Sequence, residues 1–165
     1  MEKQFEITND MLATAGQRFV NYIIDGIVVY LILFILMIFI VFATALLGST
    51  AFYNWTQNIS TLQGYIVFFS IQIPYNTFLE SYTSRTIAKY ITKTMVVNED
   101  GSKLDLSTAF KRTLCRLIPF DSLTFLGGGR GWHDTIPDVY VVQKDLFLKN
   151  KDLFNSFEEI GKPQE

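Results

Sequence analysis

Six side chains carry the chemistry that this sequence offers: Arg18, Asp25, Gln72, Asn76, Glu80 and Asp134. Arg18 and Asp25 are seven residues apart, two turns along one helical face, with Asn21 and Tyr22 on the same stripe. Gln72, Asn76 and Glu80 recur every four residues and form a second polar stripe. An intramembrane carboxylate flanked by a guanidinium and amide oxygens can bind a proton or a monovalent cation, with neutral oxygens replacing the ion's water. The competing reading is that the stripes only hold two helices together, since hydrogen bonds between membrane helices contribute about 0.6 kcal/mol each.

Other chemistries find little support. One cysteine, Cys115, excludes an intrachain disulfide, and one histidine, His133, has no ligand spacing around it that would hold zinc. The glycine run before Trp132 follows no buried strand and precedes no Lys-Ser/Thr pair, so it reads as a sharp turn rather than a phosphate loop. No nucleophile and base are paired. The expectations are therefore no enzyme activity, no cofactor, no metal centre and no nucleic-acid partner.

The stripes need elements to hold them. Residues Gly26 to Leu47 contain no charge and reach about 33 Å as a helix, enough for a bilayer core. An Asp at a helix centre costs roughly 2.5 to 3.5 kcal/mol, while each Leu, Ile, Phe or Val returns roughly 0.3 to 0.6, so the helix inserts despite Asp25. The N-terminal stretch lacks the positive region of a signal peptide, so the helix is expected to stay in the mature chain, preceded by a short surface helix capped by Thr8, Asn9 or Asp10. A second, weaker apolar block follows an uncharged loop, Gly48 to Thr61, that carries Phe52, Tyr53 and Trp55. Pro74 should kink this helix and free a carbonyl. Membrane helices are thus expected at about 19–47 and 62–82. In an antiparallel pair Arg18 lies level with Glu80, and Asp25 between the levels of Asn76 and Gln72, as one buried polar cluster.

Charge sets the orientation. No Lys or Arg occurs between Phe19 and Ser84, whereas Arg85, Lys89, Lys93, Lys103, Lys111, Arg112, Arg116 and Arg130 crowd the following stretch. Both termini are therefore expected in the cytoplasm. A cytoplasmic region over 85–142 should hold a β-hairpin from about Met95 to Leu106 around Asp100-Gly101, and a third short strand, "DVYVVQ". Between them a helix capped by Ser107 places Phe110, Leu114, Leu117 and Ile118 on one face and Lys111, Arg112 and Arg116 on the others. It suits either an anionic leaflet or packing on the hairpin. Residues 143–165 read as a solvated amphipathic tail helix. The fold class is an all-α membrane protein: a two-helix transmembrane hairpin with a small cytoplasmic α+β region.

Arg18 at the start of the first membrane helix, Asp25 inside it, and Asp134 in a "WHD" element resemble the RDD family of small bacterial membrane proteins. The resemblance continues through "TIAKYITKTMVVNEDGS", "RTLCRLIPFD" and "FLGGGRGWHD", with two departures: the family usually has Gly where this chain has Ala88 and Lys93. It implies a two-helix core over 1–142, a conserved polar triad, the bacterial cytoplasmic membrane and a transport-related role, with monovalent cation/proton antiport proposed for some members. Two functions follow as expectations. One is a transport component, a homo-oligomer or a complex with a membrane partner protein, in which Asp25 binds the proton or cation. The other is an anchor or assembly factor that presents a basic platform to lipid or a partner. Asp134 should bond backbone amides of its turn, or Arg18 or Arg116.

Overall fold

The computed structural model describes residues 5–118, 121–124 and 130–161. Thr14 begins the long first helix: its hydroxyl accepts from the Gln17 amide at 3.2 Å, and the Gln17 side chain accepts from the Thr14 amide at 2.9 Å. This capping box satisfies two of the donors that a helix start leaves open. Helix α1 then runs Ala15–Leu46. A short helix α2, Ala51–Gln57, occupies the uncharged loop. Ser60 and Gln63 repeat the capping box at the start of α3, Thr61–Thr83, which continues through Pro74 as one helix. Asp25 meets Tyr75, and the Tyr30 and Phe68 rings lie 5.1 Å apart, so α1 and α3 run antiparallel.

Among the described residues α1 alone is long and apolar enough by composition to cross a membrane. Helix α3 has 23 residues, but Gln63, Gln72, Asn76 and Glu80 dilute its hydropathy. Burial divides both helices. In α1 the buried residues are Arg18, Asn21, Asp25 and Val29, and in α3 they are Asn76, Thr77 and Glu80. The buried thirds face each other at the end where the rest of the chain gathers; the remainder, dominated by Leu, Ile and Phe, is exposed.

The gathered elements are α4 (Ile87–Ile91), β1 (Thr94–Asn98), α5 (Leu106–Cys115), α6 (Asp121–Thr124), α7 (Trp132–Thr135), β2 (Val139–Gln143) and α8 (Lys144–Gly161). The expected β-hairpin over 95–106 does not form. Strand β1 pairs instead with β2, antiparallel, with Val96 opposite Val141. The Asp100-Gly101 turn is present, with Gly101 at φ 71 and its amide bonded to the Asn98 carbonyl. The chain leaving it accepts one backbone bond, from the Asn98 amide to the Ser102 carbonyl, and the Asn98 side chain donates to Ser102 Oγ and the Lys103 carbonyl before Asp105 turns away to cap α5. That cap replaces the expected Ser107: the Asp105 carboxylate accepts from the Ser107 amide at 3.1 Å. The run expected as a third strand supplies the β-branched partner that the hairpin lacks.

Alternation along the strands sends Val96 and Val141 into a cluster with Ala13, Leu104, Ala109 and Val139, and Val97 and Val142 into another with Met11 and Phe147. The N-terminal segment is therefore not a free surface helix. Its 3₁₀ turn, Asn9–Met11, leads Ala13 to donate to the Val141 carbonyl at 2.9 Å. The tail is not merely solvated either, because Phe147 is buried and stacks edge-on to Phe5 at 5.6 Å. Lys93, one of the two departures from the family pattern, enters β1 at φ 55, a conformation that favours glycine.

Candidate functional site

Asp25 lies on the face of α1 that meets α3 and α4. Its Oδ1 accepts from Tyr75 Oη at 2.9 Å and from the Ala88 amide at 3.3 Å, and its Oδ2 accepts from Thr86 Oγ1 at 2.6 Å. The Ile87 amide donates to Tyr75 Oη at 3.3 Å, so two of the open N–H groups at the start of α4 are used on this acid and its phenol partner. Every one of these donors is neutral. Below it, Asn21 ties α1 to the start of β1, donating to Thr94 Oγ1 at 3.0 Å and accepting from Thr92 Oγ1 at 2.6 Å.

Glu80 and Asp134 are held quite differently. Glu80 is fully buried and meets three bases: Lys89 at 2.8 Å, Arg112 at 2.6 Å and Arg116 at 2.9 Å. Arg112 also clamps Asp134 through Nη2 at 2.6 Å and Nε at 2.9 Å, and Arg18 reaches Asp134 Oδ2 at 3.1 Å. One guanidinium on α5 therefore bridges carboxylates from α3 and α7, and Asp134 fastens the start of α1. Four bases thus surround two acids. Burial pushes the Asp134 carboxyl up, but Arg112 above all, then His133 and Arg18, outweigh this and hold it at about 2. Burial lowers Arg112 too, yet Asp134 and Glu80 more than reverse that and raise it above its ordinary value. Lys89 is lowered, because burial and the neighbouring arginines outweigh Glu80.

A hydroxyl joins the two arrangements. Lys89 Nζ donates to Thr86 Oγ1 at 3.4 Å, and the single Thr86 proton goes on to Asp25. A directed chain thus runs from Glu80 through Lys89 and Thr86 to Asp25. The sequence-predicted residues Arg18, Asp25, Glu80 and Asp134 belong to one connected network, although the direct contacts expected among them are few. Arg18 pairs with Asp134, as one of its expected partners; Arg116 turns instead to Glu80. Asp25 contacts neither Gln72 nor Asn76 by a hydrogen bond, because Tyr75, one residue earlier, takes that place.

Gln72 and Asn76 line the cleft above. It has a volume of about 700 Å³ and lies between α1 and α3, with Arg18, Asn21, Asp25 and Lys89 in its polar part and Leu33, Phe68 and Phe69 in its apolar part. Asn76 is buried and donates to the Gln72 carbonyl at 3.2 Å, while its own Oδ1 has no hydrogen-bond partner among the described residues. Flipping the amide would set oxygen against oxygen, so the orientation is fixed and Oδ1 stays a buried acceptor in a residue that lines the cleft. Asp25 and Asn76 are the oxygens that could take a monovalent cation from it. Among the described residues no three His, Cys, Asp or Glu side chains cluster as metal ligands. His133, lowered from its usual value chiefly by burial, binds Asp121 Oδ2 through Nδ1 at 2.6 Å and braces α7. The glycine turn expected before Trp132 falls mostly on 125–129, outside the described residues.

Sequence reasoning missed Tyr75, Thr86, Lys89 and Arg112. The last two read as surface charges, since a Lys or Arg beside apolar residues ordinarily faces water. The available signal was the amphipathic pattern of α5, whose Phe110 and Leu114 are exposed while Arg112 is buried. A family model described as the RDD family matches residues 12–142. No curated protein and no solved structure gives a match.

Proposed function

This chain belongs to the RDD family, and on that premise we propose that it exchanges protons for a monovalent cation across the bacterial cytoplasmic membrane, with Asp25 as the exchanging group. One observation carries the reading: Asp25 is a buried carboxylate, held among the described residues by neutral donors alone, beside a cleft also lined by Asn76, whose buried Oδ1 has no partner among those residues. A buried acid without a basic partner gains most from a proton or a cation. Glu80 and Asp134, already saturated by bases, gain little from either.

In this reading α1 and α3 both span the bilayer as a hairpin with residues 48–60 outside and both termini in the cytoplasm. The length of α3, its antiparallel course against α1 and the absence of Lys and Arg between Phe19 and Ser84 support it. Two helices do not enclose a pathway, so a second copy or another membrane protein completes it. Residues 1–142 form the working unit, α8 is an extension of it, and the protein is not an enzyme.

The test is dissipation of a pH gradient in vesicles on adding Na⁺ or K⁺, with the natural protein and Asp25→Asn at matched levels. The natural protein should dissipate the gradient and the variant should not; equal activity removes Asp25 from the mechanism. Activity in neither favours the other reading, an anchor whose ion network fixes the cytoplasmic unit to the hairpin. That network consumes Arg18, Lys89, Arg112 and Arg116, which leaves less basic surface for lipid head groups than the sequence promises.

A further inference from the structure

Three short helices outside the hairpin are built inside out for water. Helix α4 buries Ala88 and Lys89 and exposes Ile87, Tyr90 and Ile91; α5 buries Ala109, Arg112 and Thr113 and exposes Phe110 and Leu114 beside Lys111; α7 buries His133 and Asp134 and exposes Trp132, with Ile136 exposed just after it. These seven apolar side chains are 40 to 64% exposed. A helix in water does the reverse.

Hydrogen bonds fix the level of each helix against the hairpin. Helix α4 is pinned to Asp25 by the Ala88 amide, α5 to Thr77 by Thr113 at 3.3 Å, and α7 to Arg18 through Asp134. From Asp25 to Leu46 α1 spans about 32 Å, the thickness of a hydrocarbon core, so Asp25 marks its lower edge. Arg18 lies about 10 Å further down, among head groups. At these same levels α1 exposes Phe19, Tyr22, Ile23 and Ile27, so the apolar surface of the three helices continues that of α1.

We propose that α4, α5 and α7 form an apolar collar sunk into the cytoplasmic boundary of the bilayer, with lipid itself as the partner. Lipid fits better than a second copy of the chain. The collar leans on α1 through α4 and on α3 through α5, and one protein contact covers a single patch of about 800 Å² per partner. Apolar contact holds the collar in place rather than charge, because Arg18, Lys89, Arg112 and Arg116 are spent inside the molecule and Lys93 and Lys111 remain exposed. The proposal rests on α1 crossing the membrane.

Trp132 reports on it directly. In vesicles of phosphatidylcholine brominated near the headgroup, Trp55→Phe protein should lose roughly half its fluorescence, more than with bromine near the chain ends, as for a ring at the interface. Aqueous iodide should quench little. The result should persist at about 1 M salt, where the screening length is about 3 Å. Iodide quenching without bromolipid quenching places the collar in water and overturns the proposal. Quenching by neither places it under protein and overturns it equally. A Phe39→Trp reporter, with both natural tryptophans replaced by Phe, separates the two readings. If it is quenched by deep bromine and Trp132 is not, the hairpin stands and the collar falls; if neither is quenched, both fall.

Discussion

Two kinds of buried carboxylate stand within the same lower third of this molecule. Glu80 and Asp134 are locked by guanidinium and ammonium groups, whereas Asp25 is held by a phenol, a hydroxyl and an amide. The difference separates architecture from exchange. An acid that shares its charge with several bases cannot give up a partner without stranding another, and an acid held by neutral donors can change its charge while its neighbours stay put.

The largest break in that comparison is Arg112→Ala, which removes the one base shared by two buried carboxylates on separate helices. A loss of about 3 to 5 kcal/mol is expected, read as failure of the protein to accumulate in membranes or as early unfolding in detergent. Acid reaches the same network without mutation. Asp134 lies at about 2 when folded and near 3.9 when unfolded, so it adds about 2 to 3 kcal/mol of stability that is complete above pH about 4 and disappears as pH falls toward 2. Its contribution should be flat from pH 8 to 5 in a melting series. His133 adds an earlier step of the same sign: its lowered value means that stability begins to fall just below pH about 6.5, and His133→Asn should remove that step.

Asp25→Asn should be gentler on the fold, since a single neutral hydrogen-bond pattern is altered at about 1 to 2 kcal/mol. Melting of the purified variant close to the natural protein, together with loss of exchange, sharpens the contrast. A collapse as severe as that of Arg112→Ala erases it. The smallest effect should come from Lys93→Gly, which touches neither type of acid and relieves a left-handed residue. A gain of about 1 kcal/mol is expected, seen as a slightly higher melting temperature with unchanged exchange.

The long helices and their polar faces were legible because period and hydropathy act locally. Arg18 and Asp25 face the interior, and Asn76 and Glu80 are buried, as their spacing implies. Pairing was not legible. Arg18 and Asp134 are 116 residues apart, and nothing near Arg112 announces that it will serve two acids. The Asp100-Gly101 dipeptide specified its turn but not the partner of the strand before it, because Asp105 was already committed to starting α5. The collar escaped for a related reason: an amphipathic pattern gives two faces and does not say which one meets the solvent when that solvent changes from water to lipid.

The paired capping boxes at Thr14 and Ser60 have a consequence for how such a molecule is made. They complete the starts of α1 and α3 with neutral side chains, and no Asp, Glu, Lys or Arg occurs from Gly26 through Leu79. In the proposed topology everything that passes to the far side during synthesis is uncharged, and Ser60 caps the helix that returns. On that reading the hairpin enters the membrane as a unit while the chain beyond it is still on the ribosome, and Glu80 then waits at the near side for Lys89, Arg112 and Arg116 to arrive in order of translation.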